Sequence, residues 1–485
     1  MSETINKTAN KTAINTIQPK TLSKTEHKRK SRPYIFYGQT QSLCIHCLEL
    51  VPAKIIFQND NVYYQKRCLK HGVQKVLVST DIEYYKRCKE YIKPGDLPEV
   101  FQTPINKGCP YDCGLCPDHE QHSCLAIFDI IDECNMTCPV CYADSSPQKS
   151  NIKTMANIQV MLDTLIASES EPDLVQLSGG EPTLHPQFFD ILELIKQSPV
   201  RHLMVNTNGI KISQDEEFVK QLKQYQPGFE IYLQFDSFKK EVLKKIRGID
   251  ARKIRIKALE NLEKHNISTT LVCTVIQGEN DDEIDDIIEF AKTYQCIRGV
   301  TFQPMQKAGR GPNNKSRTTL SEIRKRIING KNGFTDADML PLPCHPENIC
   351  IGYAIKQPNK FTPVSGLIPK DILLAGVNNS VSMEKNPQLL SALKDVLSLD
   401  SISYLASEKL KTLLCCLPKF ALPTMTYENV FRVVIMSFMD AEDFCTTSVK
   451  RSCVHFVTED AKIYPFDTYN LFYRDQNKVE IIAKE

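Results

Sequence analysis

The sequence predicts an α/β protein: a partial (β/α)6 TIM-type barrel, preceded by a small N-terminal zinc-binding β domain and followed by a C-terminal α+β extension. Three observations lead there. Between residues 125 and 305, apolar runs of strand length alternate with helical patterns, as in a parallel sheet with covering helices. Polar and glycine residues gather just after those runs, where a βα barrel carries its chemistry. Upstream, Cys44-Ile-His-Cys47 and Cys68-Leu-Lys-His71 bracket a β-hairpin pattern, two knuckles spaced for a tetrahedral zinc ion.

Residues 1–33 are rich in Thr, Asn and Lys and read as a disordered tail. They carry no apolar h-region, and Glu3 and Glu26 weigh against a transit peptide. Residues 34–100 form the zinc domain, with Cys44, Cys47, Cys68 and His71 as ligands of Zn2+ that staple a unit too small to fold on its own core. Its hairpin strands are expected at 54–57 and 62–66, turning at Asn59-Asp60-Asn61, with a short helix over 81–95. Residues 101–124 form a cysteine-bearing segment ahead of the barrel.

Barrel strands are expected at 125–132, 173–178, 202–207, 229–236, 268–276 and 299–304. The intervening helices fall at 154–168, 186–197, 214–224, 252–265 and 281–294. Six strands are too few to close an eight-stranded barrel, so the sheet stays open. Within the extension, 306–485, residues 385–416 read as helical and 428–440 as a strand. The apolar 370–430 region reads as core packing ahead of a substrate tunnel.

Seven cysteines lie between Cys109 and Cys141. Cys109, Cys113 and Cys116 share the spacing C-x3-C-x2-C with Cys134, Cys138 and Cys141. That spacing lets three thiolates of one loop converge on a [4Fe–4S] cluster. The first set finds a fourth thiolate in Cys124, at the far end of the first strand from the second set. The second set has no cysteine nearby, so one iron is left open for a ligand. Gly179-Gly180-Glu181-Pro182 after the second strand offers a backbone that a ligand can approach closely and a carboxylate for a ligand ammonium.

A net charge of +2 with 24% charged residues gives no basic excess for nucleic acid. No apolar run is long enough to span a bilayer. Nineteen cysteines without an export signal point to metal centres in a reducing, cytoplasmic setting. The competing reading is a non-catalytic multi-zinc binding module in which every cysteine group holds zinc. Neutral charge and the Gly179–Glu181 loop speak against it.

Cys134, Cys138 and Cys141 followed by Gly179-Gly180-Glu181-Pro182 resemble the radical S-adenosylmethionine (SAM) enzymes. The run Lys107–Cys124, the Cys68–Gly72 knuckle, Met436–Asp440 and Cys453-Val-His455 resemble the tetraether lipid synthase and radical SAM methylase-like branch, with its N-terminal rubredoxin-like zinc domain. The resemblance implies that SAM chelates the open iron through its amino and carboxylate groups. Gly179, Gly180, Glu181 and Pro182 would hold the methionine moiety, with Thr207, Asn208, Asp236 and Gly278 toward ribose, carboxylate and adenine. One electron from a reductant such as flavodoxin or ferredoxin would cleave the sulfonium to a 5′-deoxyadenosyl radical, and the protein would position it and exclude water. A lipid or another small molecule would be the substrate, functionalised at an unactivated C–H bond by chain coupling or methylation, with peripheral membrane contact in the lipid case. The branch also implies one or two auxiliary clusters: Cys109, Cys113, Cys116 and Cys124 for one, and Cys344, Cys350 and Cys453 for another. For the second, Asp467 or Cys445 would be the fourth ligand. Asp467 stands where the branch has cysteine.

Overall fold

The computed structural model describes residues 32–311, 317–357, 360–367, 370, 374 and 429–474. The tail at 1–31, Cys415, Cys416 and the helical reading of 385–416 lie outside the described residues. So does nearly all of the apolar 370–430 region.

Four antiparallel strands open the chain: β1 (Ile35–Leu43), β2 (Leu50–Gln58), β3 (Asn61–Cys68) and β4 (Gly72–Ser79), paired in sequence order. The β2–β3 turn places Asn59 and Asp60 at φ 51° and 59°, the double left-handed turn that suits the twist of a hairpin. Helix α1 (Ile82–Glu90) follows, with Asp81 capping the backbone N–H of Tyr84.

The barrel then proceeds through β5 (Leu125–Ile131), α2 (Met155–Glu169), β6 (Leu174–Gly179), α3 (Phe188–Lys196) and β7 (His202–Thr207). Next come α4 (Ile210–Gln214), α5 (Glu216–Leu222), β8 (Phe229–Gln234), α6 (Lys240–Arg247), α7 (Arg252–Lys264), β9 (Thr269–Val275), α8 (Ile284–Thr293) and β10 (Ile297–Pro304). Strands β5 to β10 pair in parallel, in order. Every residue of β5 is buried, as expected of a strand covered on both faces. Helix α2 starts at a capping box of Thr154 and Asn157, and α6 stops at Gly248, φ 81°. Neither α4 nor α6 is among the helices expected from sequence.

Beyond the barrel come α9 (Leu320–Ile328), β11 (Leu340–Pro341), β12 (Ile349–Gln357), β13 (Lys360–Pro363), β14 (Val430–Met436), α10 (Thr446–Val449), β15 (Val454–Thr458) and β16 (Lys462–Pro465). The C-terminal α+β extension is woven into the barrel sheet. Strand β14 lies parallel to β10 at one edge, and β15 lies parallel to β5 at the other. Hydrogen-bonded pairing decides this, because an exposed parallel edge leaves its backbone groups unpaired. Residues of the two edges meet in one interior cluster: Leu125, Val454 and Phe456 from one side, Ile349, Ile351 and Met436 from the other. The staggered register of a curled sheet brings such edges together. A second, larger cluster lies between the sheet and its helices.

Strand β14 is also tied in by charge. Arg432 Nη2 donates to both oxygens of Glu230 at 2.7 Å, and His202 Nε2 lies 3.3 Å from the same carboxylate. Burial pushes Glu230 up, but Arg432 and His202 outweigh it and hold the carboxyl well below the usual range.

Candidate active site

Cys134, Cys138 and Cys141 sit on one loop at the C-terminal end of β5. The loop is fastened at several points. Val140 N donates to Ile246 O at 3.2 Å, and Cys141 and Arg310 exchange backbone bonds of 2.8 and 2.9 Å. The Arg310 guanidinium donates to Cys138 O (3.0 Å), Asp144 Oδ1 (2.7 Å) and Ser145 O (2.5 Å). All three cysteines line one cavity of about 1250 Å3, open mouth included, together with Gly179, Gly180, Glu181 and Asn208. Burial pushes the Cys134 thiol up to about 12, so a metal ion is what would hold it as thiolate.

The two glycines line the cavity and also let two backbones close on each other. A Cβ on Gly179 would lie 2.2 Å from Ile131 O, and one on Gly180 would lie 1.9 Å from Glu133 O. Their missing side chains let β6 close on the backbone leading into the cysteine loop, where Gly180 N donates to Ile131 O and Glu181 N to Glu133 O. Gly180→Ala is therefore expected to shift the cysteine loop and cost roughly 1–3 kcal/mol, read as a lower melting temperature together with weaker SAM binding by calorimetry.

Glu181 is fully buried and burial raises its pKa. Its Oε1 accepts from Thr207 Oγ1 and Thr183 Oγ1, both at 2.7 Å, and Oε2 accepts from Asn208 N at 2.8 Å. It thus ties the β6 and β7 loops together, and Oε2 keeps lone-pair capacity toward the cavity. Pro182 and Thr207 stand behind this carboxylate, outside the cavity lining. Gly278 also lies off the cavity, in a turn where its N donates to Asp281 Oδ1 at 2.7 Å.

Asp236 is redirected as well. Its carboxylate takes a two-pronged bond from Arg247, Nε to Oδ2 and Nη2 to Oδ1, each 2.7 Å. Burial pushes Asp236 up, but the guanidinium outweighs it and holds the carboxyl below its ordinary value. Arg247 is the group that reaches the cavity, beside Cys138. Arg255, also buried, donates from Nη1 to Asn208 O and leaves Nε and Nη2 without a hydrogen-bond partner among the described residues. Both arginines escaped the sequence reading. Arg247 closes a helix whose pattern was not recognised, and Arg255 carries no mark distinguishing it from its basic neighbours on α7.

The outlying cysteines regroup. Cys124 does not join Cys109, Cys113 and Cys116. Its Sγ, with those of Cys344 and Cys453, forms a set lying within 4.8 Å of one another. Parallel pairing explains it: Val454 is in register with Leu125 and Leu125 N donates to Cys453 O, so the two preceding cysteines are neighbours. Cys350 leaves the proposed C-terminal set, because alternation along β12 turns it to the outer face against Tyr84 and Arg324 while Ile349 and Ile351 face inward. Cys445 Sγ contacts Thr40 and Thr447 hydroxyls at 3.2 and 3.1 Å. Cys109, Cys113 and Cys116 line a separate cavity of about 350 Å3, with Thr468 Oγ1 3.0 Å from Cys113 Sγ. At the N-terminal domain, Cys44, Cys47, Cys68 and His71 form the other compact set.

Asp467 is not turned toward a cysteine set; its Oδ1 accepts from Met439 N at 2.5 Å. Burial pushes its carboxyl up to about 8. A raised folded pKa means the unfolded chain ionises first, so this residue makes stability fall as pH rises from about 4 to about 8. Asp467→Asn, which keeps the acceptor, is expected to be more stable than the native chain at pH 8. The difference should vanish near pH 4, as followed by urea denaturation at each pH.

Residues 128–291 match the family model described as Radical SAM superfamily, and residues 36–80 match the HMPTM N-terminal zinc ribbon domain. The chain carries a radical SAM domain and, ahead of it, a zinc ribbon. That domain implies SAM and a [4Fe–4S] cluster, and the ribbon implies zinc. The three-thiolate loop beside Glu181 has the donor set such a cluster requires. This radical SAM protein is 28% identical over 481 residues to 7,8-dihydro-6-hydroxymethylpterin dimethyltransferase of Methanocaldococcus jannaschii, covering 90% of this chain and 94% of that one. It is 29% identical over 194 residues to GTP 3′,8-cyclase of Syntrophomonas wolfei, 39% of this chain and 57% of that one. Among solved structures, Streptococcus suis SuiB bound to S-adenosylmethionine superposes with a TM-score of 0.35 at 13% identity, covering 42% of this chain and 46% of that one.

Proposed function

We propose that this radical SAM enzyme makes a carbon–carbon bond at an unactivated C–H position of a substrate carrying a saturated apolar arm, by methylation or by chain coupling. The observation that carries the reading is the shape of the barrel interior. Beneath the cysteine-lined cavity lies a second one of about 550 Å3, open space included, and the two share Leu125, Tyr232 and Met436 as a waist. Leu174, Met204, Val300, Ile351 and Val434 line the lower cavity, and Arg432 and Thr270 floor it. From Gln234 to Glu230 the space runs about 13 Å along β8, polar above the waist and mainly aliphatic below it. An apolar arm gains by filling such a space.

When bound, SAM and the cluster supply a 5′-deoxyadenosyl radical able to take hydrogen from such a carbon. The residues of the chain do the rest. Cys134, Cys138 and Cys141 hold the cluster, while Glu181 and Arg247 offer a carboxylate and a guanidinium for the amino and carboxylate groups of SAM. The barrel wall keeps water from the reacting carbon. A flavodoxin or ferredoxin would deliver the electron in the cytoplasm. No helix among the described residues is long and apolar enough to cross a membrane, so a lipid substrate would be met by peripheral contact.

A pterin substrate is the second reading. It draws on the printed activity of the Methanocaldococcus jannaschii relative and on four carboxamides, Gln176, Asn206, Gln234 and Gln303, that line the upper cavity. Such groups pair with the donor and acceptor edge of a heterocycle. Anaerobic incubation of the reduced enzyme with SAM and either a saturated-chain phospholipid or a reduced hydroxymethylpterin separates the readings. Substrate-dependent 5′-deoxyadenosine and a mass change on the lipid, a gained methyl or hydrogens lost to a new chain–chain bond, support the first; the same response to the pterin alone overturns it.

A further inference from the structure

We propose that the buried guanidinium of Arg255 raises the reduction potential of the cluster at the cysteine loop, given Cys134, Cys138 and Cys141 as the ligands of that cluster. Its means is a positive charge that no carboxylate neutralises.

Two arginines stand behind the loop, and they differ in company. Arg247 holds Asp236 in a two-pronged pair, each bond 2.7 Å, so the two together carry no net charge. Arg255 forms no ion pair among the described residues. Its Nη1 donates to Asn208 O, a neutral carbonyl, and its Nε and Nη2 find no hydrogen-bond partner there. The carboxylates that feel its charge, Asp236 and Glu181, are engaged by other groups: Asp236 by Arg247, and Glu181 by Thr183, Thr207 and Asn208 N. At 2% exposed, Arg255 has little water to screen it.

Asn208 links this guanidinium to the loop. Its side-chain Nδ2 donates at 2.7 Å to Oδ1 of Asn135, the residue after Cys134, and it lines the same cavity as the three cysteines. Arg255 is bonded to the carbonyl of that same residue, and its charge reaches Cys138. Cys134 and Cys138 are themselves buried, so the field between the guanidinium and the loop crosses protein more than water.

Reduction adds one electron, and so one negative charge, at the loop. The electron comes from a flavodoxin or ferredoxin in the proposed reaction and from a chemical reductant in the test. No bond forms or breaks, and no proton moves at Arg255. A nearby positive charge in surroundings of low dielectric stabilises the more negative, reduced form, and net charge is one of the quantities that set an iron–sulfur potential. At an effective dielectric of about 20, a unit charge about 10 Å from another changes an equilibrium by about one order of magnitude. A buried cation without a counter-charge costs stability; what it supplies here is a fixed field at the loop.

The test is an anaerobic potentiometric titration of the full chain, followed by electron paramagnetic resonance of the loop cluster. In Arg255→Gln and Arg255→Met, the ratio of reduced to oxidised cluster at a fixed solution potential should fall about 10-fold, or about 59 mV for a one-electron couple. Arg255→Lys should stay close to wild type. Lys253→Gln, the same loss of charge at an exposed position of α7, should leave the ratio unchanged because solvent screens it. Glutamine can still donate to Asn208 O and methionine cannot, so equal shifts in the two variants assign the effect to charge. Neither variant breaks an ion pair, and both should keep the wild-type iron content. An unchanged ratio in both neutral variants overturns the proposal. So does an equal shift in Arg255→Lys, a shift confined to Arg255→Met, or loss of iron from both neutral variants. Cys134→Ala assigns the signal to the loop by abolishing it. A signal that persists there removes the cysteine-loop reading itself, whereas an unmoved potential in the Arg255 variants removes only the role of Arg255.

Discussion

Cys138→Ala is expected to lower 5′-deoxyadenosine formation by at least about a thousandfold. In the proposed site, removing one of three thiolates leaves a cluster that cannot be held in place. The loop itself should survive, because its fastening runs through backbone groups and Arg310: Cys138 contributes its carbonyl to Arg310 Nε at 3.0 Å, and alanine keeps that carbonyl. The expected signature is thus a loss of about four irons per chain at unchanged zinc content and nearly unchanged melting temperature. Chromatographic quantitation of 5′-deoxyadenosine from dithionite-reduced protein, paired with iron and zinc analysis, checks it. Full cleavage activity in this variant would remove the cysteine loop from the site.

The second large effect is on stability. Asp236→Ala is expected to destabilise the protein by about 3–5 kcal/mol, because it strands the Arg247 guanidinium in a buried setting without its counter-charge. Arg247 is 7% exposed and Asp236 0%, so little solvent screens the guanidinium once its partner is lost. Asp236 also sits at φ 67°, a strained conformation for a residue with a Cβ, which the bidentate bond and Thr274 N (3.1 Å to Oδ1) hold in place. The pH dependence has a definite sign. The folded carboxyl is held below its unfolded value, so its contribution is complete above the unfolded pKa near 4 and is lost as pH falls toward the folded one. Urea denaturation of wild type and variant at pH 7 and pH 3 should show the gap narrowing at the lower pH. The variant should also bind SAM more weakly, since Arg247 loses its aim into the cavity beside Cys138.

The two charged pairs near the barrel axis divide the labour. Glu230 with Arg432 and His202 closes the floor at the N-terminal ends of the strands. Asp236 with Arg247 stands at the other ends, where the chemistry is proposed. Between them the lower cavity is walled mainly by Leu174, Met204, Val300, Ile351 and Val434, and that apolar stretch is what suits the interior to an apolar arm.

What the amino-acid sequence determined by itself is local. Three cysteines within eight residues line one cavity because one loop carries them, and the ribbon knuckles meet because a hairpin turning at Asn59 and Asp60 brings its ends together. The alternation of buried strands and amphipathic helices is written in periods of two and 3.6 residues, so six barrel strands were legible with small shifts at their ends. What the tertiary structure alone decided is non-local. Cys344 meets Cys453 across 109 positions, and Cys124 leaves its sequence neighbours for both because β15 pairs with β5 in register. Cys350 departs because a strand reverses its side chains at each residue, and β14 and β15 seek opposite sheet edges because unpaired backbone is costly. Spacing in a chain reports which groups can meet within one loop; strand register and charge pairing in a closed interior decide which groups do meet across the fold.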